Sequence, residues 1–160
     1  MDLLKDLFRA RGYMDVAESG PRLTSSEATA ILTDNVSKKS LTGILDDIGD
    51  AGTIIIVSTL NKLPATLTRR ALTHEYNIEF FTESELRLQA IFHHNMPVYT
   101  MMDGADISVL QQRYLIDIQN LPILASTDPV ARYFGFPLGT VLRIEKNGRV
   151  WYRIVKVLTQ

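Results

Sequence analysis

Cysteine is absent from the 160 residues, which removes disulfides and thiolate metal sites from consideration. Also missing is any apolar run near the ~20 residues a helix needs to cross a bilayer. Met1-Asp2 leads into an amphipathic stretch, unlike the basic-then-apolar opening of a secretory leader. A soluble, intracellular protein is expected. Basic charge is not in excess either. The formal net charge is −1, whereas a dedicated high-affinity nucleic-acid binder is normally strongly basic. No repeat or low-complexity tract interrupts the chain. Its 46% apolar and 22% charged residues suit one globular domain or two small ones.

Enzyme signatures are equally scarce. There is no Gly-x-Ser-x-Gly, no phosphate loop ending in Gly-Lys-Ser/Thr and no His-Glu-x-x-His. Gly49-Asp50-Ala51-Gly52 precedes an apolar run instead of following a strand and opening a helix, so it reads as a turn and not a dinucleotide fingerprint. The adjacent His93 and His94 point apart on either a helix or a strand, and a third ligand would have to come from distant His74 or a carboxylate. Neither a metal nor a cofactor is expected. Asp46, Asp47 and Asp50 ahead of Ile54–Val57 raise one sharper alternative, a metal-dependent nuclease. Such enzymes set an acid before a central strand and an acid-x-lysine on it. Here Ser58 and Thr59 stand where the second acid belongs, and Lys62 stands alone. A divalent ion would lack its oxygen ligands, so a solvated acidic turn is the better account.

Other patterns are positive. Leu3, Leu4, Leu7 and Phe8 fall at helical spacing, predicting a helix over residues 3–11 that Gly12 ends. Ser25, Ser26 and Glu27 could start a helix, and Leu41, Ile44, Leu45 and Ile48 are helically spaced. Two short helices are therefore expected over 24–48. Thr53–Ser58 is a β-branched run suited to a strand buried on both faces. Tyr76–Phe81 alternates as a second strand. Between them residues 63–72 have helical periodicity with Pro64 near the start, suggesting a crossover unit in a small sheet. Thr82 and Glu85 make a capping-box pattern, and Asp106 or Ser108 could begin a further helix.

The most specific stretch is Leu121 to Gln160. Asp128 is a strong N-cap, Pro129 fits the first helical position, and Gly135 supplies the left-handed stop. Val141–Lys146, Asn147-Gly148 and Arg149–Val155 read as a β-hairpin on a type I′ turn. Alternation puts Val141, Tyr152 and Ile154 on one face and Leu142, Ile144, Trp151 and Val155 on the other. Both faces are apolar, so one is expected to pack on its own domain and the other to need a partner's cover. Arg132 and Arg153 are candidates for carboxylate pairing there.

Leu121-Pro122, Asp128-Pro129-Val130-Ala131-Arg132-Tyr133-Phe134-Gly135, Gly139–Ile144 and Tyr152–Val155, taken in order, resemble the C-terminal domain of the fifth-largest RNA polymerase subunit. That subunit is shared by the eukaryotic nuclear enzymes, and the domain has a counterpart among the archaeal polymerase subunits, where the jaw is lacking. Lys5-Asp6-Leu7-Phe8-Arg9-Ala10-Arg11-Gly12-Tyr13 is similar to the family's opening helix. The resemblance implies an α+β protein, with an α/β jaw carrying a mixed sheet over residues 1–82. A compact docking domain of short helices and a β-hairpin sheet would occupy residues 83–160. It implies docking on the largest polymerase subunit and a small shared subunit, a role carried onto Asp128, Pro129, Arg132, Tyr133, Gly135 and Arg153. Ile123 departs from the family, which commonly has Arg there. So does Tyr99, where a further His is usual.

The resemblance also gives the basic cluster a meaning. Lys62, Arg69 and Arg70 lie between Asn61 and Thr73 with no acid among them, and alone they are better read as a solvated helix face. The family's jaw contacts downstream duplex DNA through a comparable loop, so Lys62, Pro64, Thr66, Arg69 and Arg70 become candidate phosphate contacts. Such contact would be weak, salt-sensitive and sequence-blind. The expectation is a non-catalytic subunit of a multisubunit DNA-directed RNA polymerase, without cofactor, metal or membrane. It would sit in the nucleus, or in a cytoplasmic viral factory or virion if the short jaw marks a large DNA virus. The alternatives are a free-standing interaction adaptor and, more remotely, the nuclease.

Overall fold

The computed structural model describes residues 1–34, 52–59, 77–87 and 96–158, and the chain divides into two compact units, Met1–Leu88 and Gln89–Gln160. Both are mixed α+β.

The first unit opens with α1 (Asp2–Ala10), whose Leu4, Leu7 and Phe8 are buried. Its end is built by Gly12, at φ 74°, and by the Tyr13 amide donating back to the Phe8 carbonyl at 3.0 Å. The Tyr13 ring then meets Phe8 edge-on at 5.2 Å. Five strands follow: β1 (Ala17–Ser19), β2 (Arg22–Thr24), β3 (Ala28–Thr33), β4 (Thr53–Ser58) and β5 (Asn77–Thr82). They lie in chain order in one sheet. β1, β2 and β3 pair antiparallel; β3, β4 and β5 pair parallel. The parallel pairing of β4 with β5 agrees with the expected crossover, whose helical segment at 63–72 lies outside the described residues. In β4, Ile54, Ile55, Ile56 and Val57 are all buried, as a β-branched run without alternation requires.

The helix expected from Ser25 is not there. Ser25 Oγ accepts from the amides of Glu27 and Ala28 at 3.3 and 3.1 Å, and the Ser25 amide donates to the Ala28 carbonyl at 2.8 Å. The serine therefore makes a local turn in place of a helix cap. The chain then enters β3, where Ala28, Thr29, Ala30 and Ile31 are buried. Alanine's helical preference is overridden because this strand lies between β2 and β4 and is packed on both sides. The remaining part of that expectation, residues 35–48, falls outside the described residues.

Gly52 is where β3 and β4 come together. A Cβ added there would sit 2.9 Å from the Glu27 carbonyl oxygen, the same oxygen that accepts from the Thr53 amide at 3.0 Å. Backbone cannot yield as a side-chain tip can. Gly52→Ala is expected to cost about 1–3 kcal/mol, the range for forcing extra atoms into packed structure. A lowered urea midpoint with an unchanged m-value would show it.

The first unit ends with α2 (Glu83–Arg87). Its capping box is complete: Glu85 Oε2 accepts from the Thr82 amide at 2.7 Å, and Thr82 Oγ1 accepts from the Glu85 amide at 3.0 Å.

The second unit is a four-stranded sheet of β6 (Val98–Met101), β7 (Ile123–Ala125), β8 (Val141–Lys146) and β9 (Arg149–Lys156), in spatial order β6-β8-β9-β7. Of its pairings, that of β7 with β9 is parallel and the other two are antiparallel. Asn147 and Gly148 take φ of 51° and 72°, the two positive values a type I′ turn demands. Two helices flank the sheet: α3 (Gly104–Tyr114) and α4 (Pro129–Phe134). α3 begins earlier than Asp106 or Ser108, because Asp103 takes the capping role and accepts from the Asp106 amide at 2.8 Å.

These helices correct the expectation that one sheet face awaits a partner. On one face Leu142, Ile144 and Val155 cluster with Leu124 and with Ala131 of α4. On the other, Val141 and Ile154 cluster with Leu121 and with Leu110 of α3. The domain covers both faces itself. Its exposed apolar residues are spread over the strands (Val98, Met101, Ile123 and Val150) as well as over α3 and its end (Val109, Tyr114 and Leu115).

Candidate functional site

The residues of the Asp128–Gly135 segment are brought together by short-range chemistry. The Asp128 carboxylate accepts from the Val130 amide at 2.8 Å, and Pro129 follows it. This cap is worth about 1 kcal/mol. At the other end Gly135 adopts φ 64°, its amide donating to the Arg132 carbonyl and the Phe136 amide to that of Ala131, at 3.2 and 3.0 Å. Those bonds satisfy two carbonyls at the helix end and reverse the chain.

The reversal assembles an aromatic shelf. Phe134 and Phe136 stack at 5.3 Å between centroids with an interplanar angle of 15°. Tyr99, from β6, lies 6.2 Å from Phe134 and 6.3 Å from Phe136. Beneath them Tyr133 meets Phe134 at 5.6 Å, nearly perpendicular, and is only 2% exposed. Tyr133 is thus core that supports the shelf, while Phe134 and Phe136 are half-buried. Trp151, like Tyr99 and Phe136, packs against the core cluster of Leu124, Ala131, Leu142, Ile144 and Val155.

Charge gathers beside the rings. Burial raises the Tyr99 hydroxyl above its usual pKa, the Asp128 carboxylate adds to the rise, and Arg153 opposes it. Tyr99, Asp128 and Arg153 therefore share one electrostatic neighbourhood. Arg153 Nη1 donates to the Ile123 carbonyl at 3.3 Å, which orients its guanidinium along β7. It has no carboxylate at ion-pair distance among the described residues. Arg132 is half-buried on the same helix as Tyr133 and Phe134.

The sequence reading missed Tyr99 as a member of this site. Val98-Tyr99-Thr100-Met101 after Pro97 is a short β-prone run that could have signalled β6. Its partner, however, is distant in the chain, Tyr99 pairing with Ile144. Lys62, Pro64, Thr66, Arg69 and Arg70 lie outside the described residues, as do Asp46, Asp47, Asp50, His74, His93 and His94. Among the described residues no three His, Asp or Glu side chains converge, and no helix is long and apolar enough to cross a membrane.

The described part of the C-terminal unit is thus a small α+β domain with a capped helix, an aromatic shelf and charge beside it. Comparison with known proteins makes this particular. Residues 89–156 match the family described as RNA polymerase Rpb5, C-terminal domain, a match that falls within the C-terminal unit. The chain is 34% identical over 107 residues to the Caenorhabditis elegans DNA-directed RNA polymerases I, II, and III subunit RPABC1, covering 64% of this chain and 51% of that protein. With a putative DNA-directed RNA polymerase subunit, 454R, of Invertebrate iridescent virus 6 it shares 23% identity over 177 residues, 96% of each chain. With the Dictyostelium discoideum rpabc1 subunit the figure is 30% over 112 residues, 65% of this chain and 57% of that one. The chain thus spans about half the length of the cellular relatives and nearly all of the viral one. By these likenesses the chain is similar to Rpb5-type RNA polymerase subunits, and the resemblance drawn from its last forty residues holds.

Proposed function

We propose that this chain is a non-catalytic subunit of a multisubunit DNA-directed RNA polymerase whose C-terminal unit docks on the largest subunit and on a small shared subunit. The observation that carries this reading is the shelf of Tyr99, Phe134 and Phe136 beside Asp128 and Arg153, set within the family-matched segment. Flat, partly exposed rings flanked by an arginine are what interface hot spots are made of. Asp128, Pro129 and Gly135 shape the helix that presents the shelf, Tyr133 backs it, and Arg132 and Arg153 offer charge to a partner carboxylate. The likeness to the viral subunit over the whole chain supports a viral member, located in a cytoplasmic factory or virion; a cellular one would be nuclear.

In the same reading the first unit acts as a jaw supporting downstream duplex DNA through Lys62, Pro64, Thr66, Arg69 and Arg70. Three cations neutralise few phosphates, so affinity alone would be poor. Tethering to the polymerase supplies the effective concentration. Removing both Arg69 and Arg70 by substitution with alanine is expected to flatten the salt dependence of downstream DNA engagement by the assembled enzyme. The slope of log affinity against log salt should fall by roughly 2 for two lost phosphate contacts. An unchanged slope removes this role.

Affinity purification from native cells tests the whole reading. Stoichiometric large polymerase subunits are expected with the chain. Their absence would favour the free-standing adaptor instead.

A further inference from the structure

Charge in the second unit is unevenly shared between the two faces of its sheet. Residues 89–160 contain five acidic side chains, Asp103, Asp106, Asp117, Asp128 and Glu145. Three of them cap helical turns: Asp103 accepts from the Asp106 amide, Asp117 from that of Gln119 and Asp128 from that of Val130. Glu145 is held by Arg143 at 2.8 Å, and Asp106 lies in the first turn of α3. Among the described residues none of the five comes within ion-pair distance of Lys146, Arg149 or Arg153.

Those three cations share a face. Lys146 stands opposite Arg149, Ile144 opposite Trp151 and Leu142 opposite Arg153, and directly opposed residues point to the same side of a sheet. Tyr99 pairs with Ile144, so Tyr99, Ile144 and Trp151 form one row across three strands. This is the face of the aromatic shelf, with Leu142 and Ile144 in the core cluster and Trp151 packed on it. Arg143, Glu145 and Tyr152 alternate to the other side. Along β9 the order Arg149, Trp151, Arg153 sets an indole between two arginines whose backbones are about 13 Å apart. The opposed Lys146 and Arg149 matter most. Like charges directly opposite each other in a sheet are destabilising. The turn does not require them, because Asn147 and Gly148 set it through their positive φ. Arg149 is exposed and Lys146 half-buried. The hairpin forms in spite of these two charges.

We infer that the protein surface seated on the shelf is acidic: it brings carboxylates to Lys146, Arg149 and Arg153 and rests apolar side chains on Trp151, Phe134 and Phe136. The inference rests on the docking reading and adds to it the chemistry of the partner. A carboxylate set between two opposed cations also relieves a repulsion that the free domain retains, so association gains twice from one group. Arg149 can receive it through two parallel N–H donors. A nucleic acid fits this face less well. Phe134 and Phe136 stack on each other at 5.3 Å, which leaves no slot between them for a base. Three cations would hold a phosphate backbone only weakly, and the apolar rings beside them would stay uncovered.

The test captures the tagged full chain from native cells after nuclease treatment and quantifies the large polymerase subunits retained across a salt series. Melting of each purified chain is followed by Trp151 emission. Arg149→Glu places a carboxylate opposite Lys146, so the chain should melt no lower than wild type while retained subunits fall about tenfold or more. Lys146→Glu combined with Arg149→Glu restores a like-charge pair of the other sign. It should melt like wild type and still lose the subunits. Arg149→Lys should keep most of them. Undiminished retention by both acidic variants would overturn the inference, as would a drop in melting temperature that accounts for the lost subunits. Short fluorescein-labelled DNA, duplex or single-stranded, supplies a further check. Binding that Arg149→Glu abolishes while polymerase retention is unchanged would assign the cations to nucleic acid and overturn the inference too. Comparison with Phe134→Ala separates the two readings. If Phe134→Ala loses the subunits and the acidic variants keep them, the shelf docks a partner that is not acidic and only this inference falls. If a folded Phe134→Ala chain keeps them as well, the docking reading falls with it.

Discussion

Glu79→Gln is expected to destabilise the first unit by about 3–5 kcal/mol, the cost of leaving a buried charge without its partner. The reason lies in Arg11. Its side chain is only 3% exposed, and it forks onto Glu79 with Nη1 to Oε1 at 3.1 Å and Nη2 to Oε2 at 2.6 Å. Its guanidinium also lies 5.9 Å from the Phe81 ring centroid. Burial acts to lower the Arg11 pKa, but the hydrogen bond and charge of Glu79 outweigh it, with help from Tyr13, and the net shift is upward. Arg11 thus stays charged in an apolar place, and the Glu79 carboxylate makes that tolerable. Glutamine keeps the shape and one acceptor while deleting the charge. The pair joins the end of α1 to β5, so the loss should appear as faster hydrogen exchange at β5 amides and a lower thermal midpoint. Arg11→Met combined with Glu79→Met removes both charges and should recover most of the loss. Equal losses in the single and double variants would show that packing, and not the unpaired charge, is what matters.

That pair also marks the limit of what the sequence discloses. Arg11 and Glu79 are 68 positions apart, and no local pattern links them. Signals acting within a few residues were legible: Asp128-Pro129 with Gly135, the Asn147-Gly148 turn, the Thr82 and Glu85 box, and the unbroken β-branched run of β4. Each is a rule about neighbours that tertiary context does not reverse. The β3 strand was illegible for the complementary reason. Ala28-Thr29-Ala30-Ile31 has weak local preference, and its identity comes from β2 and β4 on either side. The candidate site divides the same way. The helix of the shelf could be read from its caps, whereas Tyr99 joins it from another strand.

Tyr133→Ala and Phe134→Ala should behave very differently although the residues are adjacent. Tyr133 is buried against the second unit's core, and truncating a buried aromatic side chain costs about 3–5 kcal/mol. For a domain of this size that is a large share of a total stability of ~5–15 kcal/mol. The Tyr133→Ala chain should therefore be partly unfolded near physiological temperature, visible as altered Trp151 emission. Phe134 is half-buried and mainly contributes its stacking on Phe136 and its edge contact with Tyr133. Such aromatic pairs are worth about 0.5–1.5 kcal/mol each beyond their buried area, so Phe134→Ala should stay folded. If the shelf is the docking surface, both variants lose polymerase subunits on purification, the first through loss of fold and the second with its fold intact. Full recovery of those subunits by a folded Phe134→Ala chain would move the docking surface elsewhere. The contrast is informative because successive positions on a helix point about 100° apart, which leaves Tyr133 buried and Phe134 half-buried.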